Sequence, residues 1–421
     1  MTWVKIFNII TSALLTLCYT YQFYYIIHAL IVKPRKFKDV TPHNRYAVLI
    51  SARNEENVIP YLLDTINSQT YPKELVDIYV VADNCTDETA RVSSEKGAFV
   101  YERFNKQQVG KGYALDYLLG EIEKKCGIES YNGYFVFDAD NLLDKNFIKE
   151  MDKCFSEGHR IITSYRNSKN YGDNWISAGY ALWFVREARF LNNPRFLLNT
   201  SASVSGTGFL VHSDILKKMG GWKYFMLTED IQFAVASVTQ GEKIAYCHDA
   251  MLYDEQPNKF SVAWRQRLRW SKGFLQVIKG YGFKLLKQIF TDHSFSAFDM
   301  LMTIAPAFIL SVTNVAVNIG ALIYSLFFFG PGVSYVLTNF LLTASFAYGL
   351  LFVIGLITLV REWKMIRCPT FKKILYLFTF PIFMLTYMPI SVQALFSKVE
   401  WKPIEHTVSV SLDDVEKDPG K

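Results

Sequence analysis

The chain reads as an α/β domain built on a parallel sheet and set between membrane-spanning helices. Three observations predict this. Residues 45–160 alternate apolar runs of strand length with segments of helical spacing, an order that gives a parallel sheet covered by helices on both faces. Apolar stretches of about 20 residues or more, the length that crosses a bilayer, lie at 3–32 and again beyond residue 297. Of 421 residues, 50% are hydrophobic and 16% aromatic against 20% charged, too apolar for a disordered chain and too charged for a pure membrane bundle.

The first element, 1–32, is a transmembrane helix: it is too long for a signal-peptide core and has no small-residue cleavage site. The basic flank Lys33-Pro34-Arg35-Lys36-Phe37-Lys38 puts its far end in the cytosol. A cytosolic α/β domain follows over 33–260, with strands at 47–51, 76–82, 98–101 and 134–137 and helices at 58–66 and 113–122. Residues 160–260 read as a mixture of short strands, loops and helices. Segment 261–290 interleaves aromatic and aliphatic residues with Arg and Lys and reads as an amphipathic helix in the membrane interface, with Arg265 and Arg267 turned toward lipid phosphate. The C-terminal membrane segments occupy 291–397. Two spans, 298–329 and 333–360, are joined by Gly330-Pro331-Gly332 and followed by a basic, cytosolic loop at 361–373. The last apolar segment, 374–396, is interrupted by Pro381 and Pro389. Crossing would put the polar tail 398–421 outside, and a re-entrant path would keep it inside; the sequence leaves both open.

A net charge of +6 suits the cytoplasmic face of an anionic bilayer and not a nucleic-acid partner. The six cysteines are scattered, which excludes a disulfide framework and a zinc site.

In an open α/β sheet, ligands bind beyond the carboxyl ends of the strands, so the residues that follow the strands carry the chemistry. Asp138-Ala139-Asp140 pairs two carboxylates in a turn, a hard oxygen set for Mg²⁺ or Mn²⁺ shared with a nucleotide diphosphate. Asp83 ends the preceding long strand and suits the imide N–H of a uracil. Lys111 opens a helix, a position that favours phosphate. Thr228-Glu229-Asp230 precedes a helical stretch and offers a carboxylate to remove a proton from an acceptor hydroxyl. Gln266, Arg269 and Trp270 are spaced i, i+3, i+4 and share one helix face, joining a guanidinium for diphosphate to a flat ring for a sugar.

Taken in this order, these segments resemble the membrane-bound family 2 glycosyltransferases, among them cellulose, hyaluronan and poly-N-acetylglucosamine synthases, over about residues 45–397. The resemblance implies the nucleotide-sugar fold called GT-A. It implies that Arg53, Glu55, Asp83, Lys111, Asp138 and Arg269 hold the UDP-sugar, with Asp138 and Asp140 at the metal. Asp230 is then the general base, beside Thr228 and Glu229, and Gln266, Trp270, Ser205 and Gly206 line the acceptor site. Three departures stand out. Arg53 replaces a frequent Tyr, Ala82 stands where a second acidic residue is usual, and neither a Phe-x-Val-Thr gating loop nor room for a cyclic-di-GMP-binding domain is present.

The expected function is inverting, processive polymerisation of a UDP-sugar, glucose favoured over N-acetylglucosamine, into a β-linked polysaccharide passed through the membrane. The alternative is a single transfer onto a membrane lipid of the ceramide or diacylglycerol type. The expected setting is the plasma membrane with the catalytic domain in the cytosol, and four membrane segments are few enough that a homodimer or accessory subunit is expected for a channel.

Overall fold

A computed structural model describes residues 2–328, 332–404 and 406–417. Helix α1 (Thr2–Ile31) leads into β1 (Tyr46–Ala52), α2 (Ile59–Asn67), β2 (Val76–Asp83), α3 (Thr89–Glu95), β3 (Phe99–Arg103), α4 (Lys111–Cys126) and β4 (Gly133–Asp138). The four strands pair in parallel in the order β3-β2-β1-β4, within a residue or two of the expected ranges. Their near-continuous apolar runs reflect burial on both faces. Tyr46, Val48 and Ile50 join Phe135 and Phe137 against Ile59 and Leu62 of α2, whereas Ala47 and Leu49 join Tyr79 and Val136 against Leu115 and Leu118 of α4.

Beyond β4 the sheet becomes mixed, in the region where the sequence reads as short strands, loops and helices. The sheet continues through β5 (Leu142–Leu143), β6 (Ile161–Ser168), β7 (Phe209–His212) and β8 (Ile244–Asp254) in the order β4-β7-β6-β8-β5. Strand β7 is antiparallel to both β4 and β6, and β5 is antiparallel to β8. The cause lies between β6 and β7. Helix α6 (Trp175–Glu187), a π-turn at Ala188–Asn192 and α7 (Asn193–Leu197) carry the chain to the apolar helices, and it re-enters the sheet at the same carboxyl end that it left, so β7 runs back against β6. Helix α5 (Phe147–Ser156) covers one face; α8 (Ser213–Met219) and α9 (Glu229–Thr239) flank the other.

The rest of the chain is helical: α10 (Phe260–Thr291), α11 (Phe295–Ile304), α12 (Pro306–Phe328), α13 (Gly332–Arg361), α14 (Thr370–Leu385), α15 (Tyr387–Phe396) and a short α16 (Leu412–Glu416). Among the described residues, four stretches are long and apolar enough to cross a membrane: α1, α11 with α12, α13, and α14 with α15. Gly330 and Pro331 of the expected turn lie outside the described residues. Amide side chains clamp α1 to α12: Asn8 donates to Asn318 at 3.0 Å, and Asn314 donates to Asn8 at 3.1 Å and to Thr11 at 3.0 Å.

The last apolar segment is held at both ends. At its start, Lys372 donates to the Gly172 carbonyl at 2.7 Å. At its end, Trp264 donates to Gln393 at 2.7 Å and Lys272 to the Ala394 carbonyl at 2.9 Å. Both ends therefore lie against the α/β domain and α10, and the chain breaks at Thr386 between them. This break explains Arg267, which is fully buried and not turned to lipid as expected. Its Nη1 donates to the Phe383 carbonyl at 3.0 Å and to Thr386 Oγ1 at 2.6 Å, serving the interrupted backbone that apolar surroundings would otherwise leave unpaired. The opposite side of α10 behaves as expected, with Phe283 and Phe290 exposed.

Nor does the polar tail hang free. Val415 packs on Leu142 and Tyr253, and the Thr407 and Val408 N–H groups donate to Glu255 at 2.9 and 3.1 Å.

Candidate active site

A cavity of about 620 Å³ opens at the carboxyl ends of β1, β2 and β4 and runs on between α1, α12, α13 and α15. All the residues singled out in the sequence line it: Arg53, Glu55, Asp83, Lys111, Asp138 and Asp140 at one end, then Ser205, Gly206, Thr228, Glu229, Asp230, Gln266, Arg269 and Trp270.

Asp83 is buried at the end of β2. Register pairs it with Arg103 on β3, whose Nη1 donates to Asp83 Oδ1 at 2.5 Å. The neighbouring Asn84 amide donates to the same oxygen at 3.1 Å. Among the described residues Oδ2 has no hydrogen-bond partner. Lys111, at the start of α4, does not wait at a bare helix end. Its ammonium donates to Asp138 Oδ1 at 2.5 Å and to the Gly206 carbonyl at 2.8 Å. Burial alone would lower its pKa, but the Asp138 and Glu229 carboxylates raise it, so it stays charged. The Asp138 N–H donates to Thr207 Oγ1 at 2.9 Å, which ties the Ser205–Gly208 loop to the end of β4.

Gly206 is the hub. Its φ is +82°, and a Cβ there would come within 3.9 Å of both Asp138 Oδ2 and Asp230 Oδ2 and within 3.5 Å of Arg166 Nη1. The two carboxylates therefore flank one small residue. Close approach also builds the other wall: a Cβ on Gly273 would lie 2.5 Å from Thr228 Oγ1, so α10 can abut the Thr228-Glu229-Asp230 turn only because this position is glycine. Arg269 Nη1 donates to the Leu227 carbonyl at 2.9 Å, and Gln276 accepts from the Leu227 N–H at 3.0 Å, pinning that turn to α10.

Burial pushes Glu229 up to about 7, aided by the neighbouring Asp230 and opposed by Lys111 and Arg269. Burial raises Asp230 as well, held back by the Ile231 N–H, Lys111 and Arg269. Among the described residues, four buried polar atoms on the cavity wall have no partner: Arg53 Nη1, Arg186 Nε, Thr228 Oγ1 and Gln266 Oε1. Buried groups are normally satisfied, so these atoms are free to bond a ligand or water. Trp270 stands edge-on to Tyr180 and Phe184, with centroids 5.7 and 6.3 Å away.

The acidic turn fits a divalent cation. Asp140 Oδ2 accepts a hydrogen bond from the Glu255 N–H at 3.0 Å. Beside it Asp254 is pushed up to about 6 by burial, against the pull of Arg166 and with a further push from Asp140. Carboxylates crowded in this way are relieved by positive charge. Among the described residues no three His, Cys, Asp or Glu side chains form a closed metal cage. That is the normal situation for Mg²⁺, which is held by one or two carboxylates plus substrate phosphates.

Several site residues were missed in the sequence. Arg103, Arg166 and Asp254 come from strand pairing that no motif announces. The tail supplies two more: the Arg53 guanidinium lies 5.5 Å from the Trp401 ring centroid, and His406 Nδ1 meets the two Glu55 carboxylate oxygens at 3.0 and 3.1 Å. Burial would lower His406, but Asp140 and Glu55 hold it well above its usual value. The available signal was a lone tryptophan in an otherwise charged tail.

Fold and site together define a nucleotide-sugar transferase of the GT-A type. The model "Glycosyltransferase like family 2" matches residues 42–273, and the chain belongs to that family. It is 27% identical over 267 residues to the probable glycosyltransferase YdaM of Bacillus subtilis, covering 58% of each chain. It is 23% identical over 246 residues to the beta-monoglucosyldiacylglycerol synthase of a Synechocystis strain, covering 57% of this chain and 50% of that one. A poly-beta-1,6-N-acetyl-D-glucosamine synthase of Staphylococcus epidermidis is 23% identical over 232 residues, covering 55% and 54%. The matches thus span little more than half the length of these relatives. Among solved structures, the mannosyltransferase PcManGT of Pyrobaculum calidifontis, in complex with GDP-Man and Mn²⁺, superposes with a TM-score of 0.55 at 14% identity, covering 93% of this chain and 99% of that one.

Proposed function

We propose that this glycosyltransferase moves a hexosyl group from a UDP-sugar, with inversion, onto a hydroxyl of a lipid drawn from the membrane. The observation that carries the reading is the course of the cavity. From Asp230 and Trp270 it continues along an aliphatic wall of Leu15 and Ile26 from α1, Leu310 from α12, Leu350 and Ile354 from α13 and Met388 from α15. A hydrocarbon chain is the natural occupant of such a lining, and Phe23 and Phe346, both exposed, give it an edge open to lipid between α1 and α13. A growing polysaccharide, favoured on sequence alone, remains the second reading. Trp270 favours it as a flat platform on the cavity wall, as does the presence of a polymer synthase among the relatives.

In either case the chemistry is the same. Asp230 takes the proton of the acceptor hydroxyl; its oxygen bonds to the anomeric carbon as the bond from that carbon to the diphosphate breaks, and UDP leaves. Burial suits Asp230 to this work, since a carboxylate with a raised pKa is a stronger base. Lys111 and Arg269 supply fixed positive charge where the leaving group gains negative charge. Mg²⁺ or Mn²⁺, held by Asp138 and Asp140, would add charge neutralisation on the diphosphate. Asp83 would read the uracil with the oxygen that Arg103 leaves free. The basic flanks around Lys36 and Lys372 support a cytosolic catalytic domain in the plasma membrane.

The test is incubation of the purified protein with UDP-glucose or UDP-N-acetylglucosamine, Mg²⁺ or Mn²⁺ and lipid micelles. One sugar per lipid supports the lipid acceptor; a polymer supports the second reading; full turnover in excess EDTA would remove the metal.

A further inference from the structure

Three arginines surround the last three turns of α1, and two of them are neutralised. Arg195 makes two hydrogen bonds to Asp299, at 2.7 and 2.8 Å. Arg189 lies 3.3 Å from Glu362. Arg186, on α6, is 5% exposed and has no carboxylate partner among the described residues. Its Nη2 donates to Gln22 of α1 at 2.7 Å, its guanidinium lies 4.7 Å from the Trp183 ring centroid, and its buried Nε finds no acceptor. Glu187, the next residue, accepts instead from Ser205 Oγ at 3.2 Å. A guanidinium does not escape burial by losing its proton near neutral pH, and an unpaired buried charge is among the most costly features a fold can carry. Burial, aided by Arg195, pushes Arg186 down to about 10 against the pull of the adjacent Glu187, whereas Asp254 and Asp299 keep Arg166 and Arg195 raised in spite of theirs.

Arg186 lines the same cavity as Asp230, on the stretch where Tyr19 and Gln22 of α1 form the wall. That stretch lies between the polar donor end and the aliphatic end, the depth at which a lipid headgroup would sit. We infer that Arg186 anchors the phosphate of an anionic lipid, whose chains run between α1 and α13 and whose free hydroxyl is presented to Asp230. The guanidinium fork matches a phosphate as it would not match an uncharged glycerol or sugar. This rests on the lipid-acceptor reading and narrows it from lipids in general to phosphate-bearing ones.

The test is equilibrium binding of a fluorescent phosphatidylglycerol to the full-length protein in dodecyl maltoside micelles. Unlabelled phosphatidylglycerol should displace the probe, and phosphatidylcholine or diacylglycerol should not. Arg186→Gln should weaken binding about tenfold or more, the worth of one charge-assisted hydrogen bond. Arg186→Lys should restore part of the loss, and UDP binding should be unchanged in both variants. Equal displacement by phosphatidylcholine, which needs no variant to fold, would overturn the proposal, as would wild-type affinity in a folded Arg186→Gln. Displacement by millimolar inorganic phosphate alone would show a free-phosphate site and overturn the lipid. Transfer to diacylglycerol without phosphatidylglycerol binding would remove this site and leave the transferase reading; binding without transfer to any acceptor would do the reverse.

Discussion

Asp230 is legible in the sequence as a carboxylate at a helix start, but its strength as a base is not. That comes from burial, which only the assembled walls of α4, α9 and α10 provide. Asp230→Asn should leave UDP affinity close to wild type and lower turnover by at least ~10²–10⁴-fold, the usual contribution of a general base; isothermal titration with UDP and an initial-rate assay separate the two. The sign of the pH effect follows from the raised pKa. The base form is lost as pH falls through a value above the ordinary aspartate range of about 3.9, so kcat/KM should begin to drop at a higher pH than for an exposed aspartate. An acid limb at the ordinary value would mean that water fills the site. Trp270 makes a second residue-scale test. Trp270→Phe keeps an aromatic face and Trp270→Leu does not; an acceptor platform should separate them by roughly 1 kcal/mol or more in transition-state binding, with UDP binding equal. Equal specific activities would reduce Trp270 to packing against Tyr180 and Phe184.

At the scale of elements, the first four strands and the helices between them were legible because one apolar run was buried on two faces and the loops carried the motifs. The second half of the sheet was not. Strands β5 and β7 are two and four residues long, and their pairing depends on a detour past α1 that local pattern does not record. The tail was the other blind spot. Its polarity reads as solvation, yet it contributes Trp401 over Arg53 and His406 against Glu55. Trp401→Ala and His406→Ala should each raise the KM for the UDP-sugar several-fold with a smaller change in kcat, since each removes a contact worth on the order of 1 kcal/mol from the donor pocket and none from the base. Unchanged KM in both variants would make the tail a bystander.

For the whole molecule, the path of the chain is the quantity that sequence alone left open. With a break at Thr386 and both ends of 370–396 held against the α/β domain and α10, we expect a re-entrant segment and not a fourth crossing. Single cysteines placed at Lys36, Lys372 and Ser409 should therefore react with an impermeant maleimide only in inside-out vesicles, and one at Trp3 only in right-side-out vesicles. Labelling of Ser409 together with Trp3 would mean that the last segment crosses. Overall charge and hydropathy pointed to a membrane enzyme, and the basic flanks set the orientation expected for the other segments. What composition could not supply was Arg267, whose guanidinium makes a broken helix tolerable.

The placement of Trp401 and His406 at the donor pocket sets a time order on the life of the molecule. During synthesis the aspartates, the Thr228-Glu229-Asp230 turn and α10 leave the ribosome long before His406 does, and α12 to α15 must be in place before Trp401 can reach Arg53. The donor pocket is thus closed last, after every apolar helix has emerged. A nascent or mislocalised chain that has folded its α/β domain but not its membrane helices lacks that closure, so the cell's sugar nucleotides meet a finished pocket only where a bilayer is already at hand.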